Sequence, residues 1–171
     1  NDGITDNREL FTQRIHQAML AAEAASTRRS LVRMHWKVEH VHLPPREDMN
    51  EPDLRAILGE KKTNVKTKSK TAIMLAYLHR QNVPIPITCL HINDEVGIMH
   101  LPGETFIEYQ IQAQESRPDA FIAVAGYGDL GTGYITLERS FAEGGYEPVD
   151  AFVSGKSEAI MRAAIASVTT P

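Results

Sequence analysis

The stretch Ala120-Phe121-Ile122-Ala123-Val124-Ala125-Gly126-Tyr127-Gly128-Asp129-Leu130-Gly131-Thr132-Gly133-Tyr134 decides the fold class. Its first six residues are continuously apolar, the pattern of a central strand covered on both faces. Four glycines in the next nine residues make a loop that can adopt positive φ or approach other backbone closely. A buried strand running into such a loop belongs to sheet-based α/β architectures, where sites gather at strand ends.

The segments upstream fit that class. Residues 87–92 and 96–101 read as strands joined at Asn93-Asp94, a hairpin signal. Pro102-Gly103 then turns the chain, and a helix is expected from Glu104 to about Gln114, with the Glu104 carboxylate complementing the dipole in the first turn. Residues 31–43 alternate at period two, with Val32, Met34, Trp36 and Val38 on one face and Arg33, His35, Lys37 and Glu39 opposite. That is a long strand, with His35 on the side nearer solvent. The apolar parity slips at Val41 and Leu43, which predicts a bulge near Glu39–His40.

Helices account for most of the rest. Residues 8–25 carry Leu10, Phe11, Ile15, Ala18, Met19 and Ala22 at three- and four-residue steps, with Asp6 or Asn7 as N-cap and an alanine-rich end suited to packing on a sheet. A short helix is expected over 52–58, stopped by Gly59. Another runs from 66 to 81 with Ile73, Ala76 and Tyr77 inward. Residues 135–141 read as either a strand end or a helical turn. The last helix, 155–168, shows a clean face of Ile160, Met161, Ala164, Ile165 and Val168, with Ser154 as N-cap. Helices interleaved with short strands make an α/β domain, a layered mixed β-sheet with flanking helices.

Composition narrows the functional classes. The chain has 171 residues, 42% hydrophobic and 23% charged, which is ordinary globular usage. A net charge of -4 argues against a nucleic-acid binder or a polybasic membrane anchor. The single cysteine, Cys89, excludes an internal disulfide framework and a CxxC metal knuckle. No apolar run reaches the roughly 18 residues of a transmembrane segment. The chain begins Asn-Asp-Gly with no methionine and is expected to be a processed or partial product.

The polar residues offer several constellations. The glycine loop reads GxGxxGxG with no following Gly-Lys-Ser/Thr, so it is a poor phosphate loop, but it carries Tyr127, Asp129 and Tyr134. His40 and His42 stand two apart on a strand, and His91 and His100 occupy the two hairpin arms. Neither pair has a third ligand in register, and no HExxH is present. Cys89 and His91 lie two apart with nothing to orient a base, which disfavours a thiol nucleophile. The basic run over 61–70 lacks interleaved aromatics and reads as solvated surface.

Beyond pattern lies a resemblance. Leu101-Pro102-Gly103-Glu104, followed thirty residues later by Gly133-Tyr134-Ile135-Thr136 and then by Gly145-Tyr146-Glu147, resembles the neutral/alkaline ceramidase family. It is similar most of all to uncharacterised bacterial proteins with a ceramidase-like domain. The resemblance implies a zinc site in which Glu104 and Tyr134 are ligands. Asp129 takes the place where the family has asparagine, and could orient the metal-bound groups. The resemblance is specific only across 101–147, and this chain departs from it in two places. Leu137 stands where the family has a second threonine, and Tyr146-Glu147-Pro148 replaces Tyr-Glu-Gly-Ala. Both put the chain on a distant branch whose substrate need not be ceramide.

The family's two histidine ligands belong to an earlier part of its catalytic domain, and none of the seven histidines here matches them. The resemblance therefore implies the C-terminal part of a zinc-dependent amide hydrolase. Its partner is the N-terminal part of the same polypeptide, its substrate a lipid or N-acyl compound, and its location extracytoplasmic or secreted. Hydrolytic zinc takes three or four protein ligands and keeps a water. A carboxylate and a phenol alone would bind it weakly, so this chain is expected to be inactive by itself. The alternative is a non-enzymatic α/β ligand- or partner-binding domain, in which Glu104 and Tyr134 are structural and the glycine loop contacts a ligand or partner; it gains if Glu104 and Tyr134 lie far apart.

Overall fold

Asn93 and Asp94 both adopt positive φ, 53° and 58°, the conformation of a two-residue hairpin turn whose twist matches its strands. Around them a computed structural model, which describes residues 7–128 and 132–171, builds an antiparallel pair: β2 (Ile85–Ile92) and β3 (Val96–Pro102). The strand β1 (Met34–Val41) adds antiparallel to β2, and β5 (Phe121–Gly128) adds parallel to β3. The result is a four-stranded mixed sheet in the order β1-β2-β3-β5. A second, two-stranded parallel sheet joins β4 (Glu104–Thr105) to β6 (Tyr134–Ile135).

Two helices cover one face of the large sheet. The helix α4 (Ile107–Glu115) buries Tyr109 and Ala113, and α7 (Ser157–Thr169) buries Met161, Ala164, Ile165 and Val168. They meet Ile87, Cys89, Met99, Leu101 and Ile122 in one core, each large side chain contributing about 1.5–3 kcal/mol by leaving water. Three further helices are short: α2 (Glu51–Gly59), α5 (Ser140–Glu143) and α6 (Glu147–Asp150). The helix α3 (Val65–His79) is tied down by Tyr77, whose hydroxyl donates to the Leu43 carbonyl at 2.7 Å. Asn50 and Asn64 cap α2 and α3 by accepting from the backbone N–H of Asp53 and Thr67. The layered mixed α/β class expected from sequence is the observed one.

Several local expectations are overturned. The β1–β2 ladder runs unbroken from Met34↔Ile92 to Val41↔Ile85, so no bulge lies at Glu39–His40. The irregularity falls instead between His100 and Pro102. Glu104 lies in β4, not in the first turn of a helix, because its backbone N–H is taken by the Gly133 carbonyl at 2.9 Å. The strand β5 is at the edge of the sheet, with Phe121 69% exposed, not at its centre. In α3 it is Thr71 and Tyr77 that are buried, while Ile73 is exposed. Lys156, not Ser154, precedes α7, and it provides no side-chain cap.

The largest reversal is in β1. Met34, Trp36 and Val38 are exposed, whereas His35, Lys37 and Glu39 point to the helix-covered side. There the polar groups find partners at the end of α7. Lys37 donates to the Thr170 carbonyl at 2.8 Å, and Ser167 donates to Glu39 at 2.6 Å. His35 stacks on His91 with ring centroids 4.8 Å apart. Paired polar groups can be covered without large cost, so the apolar face of β1 is free to point away from α7.

By its contacts the chain divides into Asn1–Leu31 and Val32–Pro171. The first unit contains α1 (Asn7–Ala25), none of whose residues is buried. The N-cap candidate Asp6 lies outside the described residues. Among those residues no helix is long and apolar enough to cross a membrane.

Candidate active site

The site is built where β3 ends. At Gly103 the backbone turns with φ 58°, and a Cβ there would overlap the Thr132 hydroxyl and the Gly133 carbonyl. Only glycine fits both the conformation and the space. The turn is clamped on both sides: Gly103 N–H donates to the Gly128 carbonyl at 2.7 Å, and Tyr127 N–H to the Gly103 carbonyl at 2.7 Å. Glu104 then pairs with Tyr134, and Phe106 N–H donates to the Ile135 carbonyl at 3.1 Å. At Gly128 and Gly133 the loop needs glycine because backbone meets backbone. At Gly128 a Cβ would stand 3.0 Å from the Leu101 carbonyl oxygen, and at Gly133 3.1 Å from that of Asp150.

This backbone pairing gathers three phenols and a carboxylate. The hydroxyls of Tyr127 and Tyr134 both lie close to the Glu104 carboxylate, and Tyr134 also lies close to Tyr146. Tyr146 meets the Tyr134 ring edge-on, with centroids 5.7 Å apart at 86°. The neighbouring Tyr146 hydroxyl, with partial desolvation and the Glu104 carboxylate, pushes the Tyr134 hydroxyl well above the ordinary phenol value. The nearby Glu104 carboxylate pushes Tyr127 up as well. Both remain neutral O–H donors at physiological pH. Tyr127 takes φ 63° without being glycine, a conformation costing about 1 kcal/mol or more that clusters at functional sites.

These groups open into a cleft of about 470 Å³, with Phe152 as its apolar wall and Lys66, Lys70 and Asp150 at its sides. Lys70 and Asp150 form an ion pair across it. Sequence reasoning named Glu104 and Tyr134, which the structure brings together. It gave no role to Tyr146, Lys66 or Lys70. The two lysines belong to the basic run read as solvated surface, and only the placement of α3 brings them here. Asp129 lies outside the described residues.

The other constellations do not assemble. His91 is 1% exposed on the helix-covered face, its Nε2–H donating to the Val168 carbonyl at 2.8 Å. His100 is on the opposite, open face near Trp36, so the two cannot share a ligand. His42 is engaged with the Gln81 carbonyl through Nδ1 at 3.0 Å. Contrary to expectation, His35 lies inside the sheet–helix layer beside His91. Burial also pushes the Cys89 thiol up, away from the reactive thiolate. The glycine loop leads into β6 rather than a helix N-terminus, which removes the geometry of a phosphate loop.

Among the described residues no group of three or more His, Cys, Asp or Glu side chains is placed to hold a metal. Glu104 and Tyr134 offer two adjoining oxygen donors. They fit one side of a zinc site, but the set lacks imidazole and does not close by itself.

No family model and no curated protein sequence matches the chain. Its fold is similar to the crystal structure of neutral ceramidase from Pseudomonas aeruginosa, with a TM-score of 0.55 and 15% identity, over 86% of this chain and 29% of that one. It is similar also to a ceramidase complexed with C2, with a TM-score of 0.55 and 14% identity, over 86% of this chain and 31% of that one. The chain thus spans less than a third of the length of these solved structures.

Proposed function

We propose that the chain is the C-terminal part of a ceramidase-like amide hydrolase that uses zinc. One observation carries the reading: Glu104 and Tyr134, thirty residues apart, are direct partners in a two-strand sheet at the mouth of a cleft. The fold likeness to ceramidases supports the same assignment. The non-enzymatic alternative would have gained from a wide separation of these residues and is not better supported.

In this reading Glu104 and Tyr134 hold the metal together with ligands from a further part of the polypeptide. When bound, zinc polarises the amide carbonyl and acidifies a water. The chain's own groups do the rest. Tyr127, its hydroxyl near Glu104, would orient that carboxylate, as outer hydrogen bonds do for metal ligands. Tyr146 meets the Tyr134 ring edge-on and holds that phenol at the cleft, where, when not ligated to the metal, its neutral hydroxyl can face the developing oxyanion. Phe152 offers an apolar wall to an acyl chain. Asp129, adjacent in sequence to this cluster, is proposed as a further orienting group. The likeness to ceramidases makes a lipid or N-acyl substrate and an extracytoplasmic setting the corresponding proposals.

The uncovered sheet face supports the need for more chain. Met34, Trp36, Val38 and Phe121 are all exposed there, and apolar patches of this kind mark contact surfaces. We assign it to an apolar layer from the N-terminal part of the same polypeptide, since the solved ceramidases extend well beyond the matched portion.

The test compares the full-length gene product with the 171-residue chain. The full product should hold stoichiometric zinc and hydrolyse N-acyl amides. Tyr134→Phe should lower kcat about 100-fold, and Glu104→Gln should lose the metal. The 171-residue chain should bind zinc no better than its Glu104→Ala variant. Tight zinc in that chain, abolished by Glu104→Ala, would mean a complete site and defeat the partial-domain reading. A full-length product that hydrolyses no N-acyl amide would defeat the hydrolase reading.

A further inference from the structure

We infer that the cleft takes an amide whose amine half carries an anionic group, and that Lys66 recognises that group. The inference rests on the hydrolase reading, because it places Glu104 at the reacting centre and so leaves it no other role. Among the described residues four charged side chains line the cleft: Lys66, Lys70, Glu104 and Asp150. Lys70 and Asp150 neutralise one another as an ion pair. Glu104 pairs with Tyr134 across the two-strand sheet and, in the proposed hydrolase, faces a metal cation. Lys66 is then the remaining cation, exposed and without an ion-pair or hydrogen-bond partner among the described residues.

Its position on α3 is fixed rather than incidental. Lys66 and Lys70 are four apart and lie on the same side of the helix. The Lys70–Asp150 pair and the Tyr77–Leu43 hydrogen bond anchor that side against the domain. A lysine held at a cleft wall, with its nearest acids engaged elsewhere, favours a negative charge on the ligand. The acyl half belongs with Phe152, so the charge belongs to the amine half. An N-acyl amino acid is the simplest compound of that kind, and the neutral amine half of a ceramide would leave Lys66 unused.

The test uses the full-length, zinc-loaded product and two amides of equal chain length, N-dodecanoylglycine and N-dodecanoylethanolamine. Wild-type protein should favour the glycine conjugate in kcat/KM by about tenfold, the scale of one charge-assisted contact. Added salt should shrink the preference, since Lys66 is open to solvent. Lys66→Gln should remove it by lowering kcat/KM for the glycine conjugate alone, and Lys66→Arg should restore it. Equal rates on the two amides in wild type, or equal losses on both in Lys66→Gln, would overturn the inference while leaving the hydrolase reading intact. Should neither amide be cleaved, the hydrolase reading fails, and equilibrium dialysis of the same two amides decides the inference. Lys66-dependent preference for the anion supports it, and equal or absent binding overturns it.

Discussion

The Tyr109 hydroxyl donates to the Thr136 carbonyl at 2.9 Å, so the helix that follows Glu104 grips the strand that carries Tyr134. Tyr109 is fully buried, and burial pushes its hydroxyl well above the ordinary phenol value. It therefore serves as a permanently neutral donor. Tyr109→Phe leaves the Thr136 carbonyl unpaired in the core and should cost about 1–2 kcal/mol, read as a lower urea midpoint. It should also loosen the Glu104–Tyr134 pairing, seen as faster hydrogen exchange at the Phe106 amide, which donates to Ile135. An unchanged midpoint would show that the hydrogen bond contributes nothing.

Gly103 should tolerate no side chain. Gly103→Ala combines a left-handed backbone with a Cβ forced into Thr132 and Gly133, and is expected to destabilise the chain by about 3 kcal/mol. Gly59→Ala is the control, since nothing lies within 4 Å of its added Cβ. It should be neutral or stabilising in the same thermal melt.

Acid should weaken the sheet–helix junction. Burial holds the His91 imidazole below its ordinary value of 6.5, with His35, Arg117 and Lys37 adding repulsion. The folded chain thus binds this proton less readily than the unfolded chain. Stability from the neutral imidazole is fully present above about pH 6.5 and is lost as pH falls through the lower folded-state value. Urea midpoints at about pH 7.5 and pH 5 should show that drop, and His91→Gln should reduce it. A drop of equal size in the variant would place the titration elsewhere.

Trp36 is the sole tryptophan and is 56% exposed, so it reports on the open sheet face. In the 171-residue chain its emission should be that of a hydrated indole and readily quenched by acrylamide. In the longer product the same residue should shift to the blue and become protected. Identical spectra would mean that nothing covers this face.

Much of the architecture is written locally. The Asn93-Asp94 hairpin, the helices α2, α3, α4 and α7 and the Leu-Pro-Gly-Glu turn follow from turn residues and apolar period, which act over a few residues. The candidate site was half legible: Glu104, Tyr134 and Tyr146 stand in motifs, though none gave Tyr146 a role, and Lys66 and Lys70 stand in none. Nothing local marks a lysine on a basic run as part of a cleft wall. The period of β1 was legible and its polarity misleading. Alternation tells which residues share a face, but not which face is covered, and Lys37 and Glu39 go inside because the end of α7 supplies their partners.

By itself, then, the sequence determined the α/β class, the hairpin and the two motifs, because each depends on short-range backbone preference or residue identity. Only the tertiary structure decided that Glu104 lies in a strand facing Tyr134, that β5 is an edge, and that the apolar side of β1 points outward. Each of these depends on a partner distant in the chain. A hydrogen bond from Glu104 to Gly133, or from Lys37 to Thr170, has no local signature, and it outweighs the local preference once the chain closes on itself.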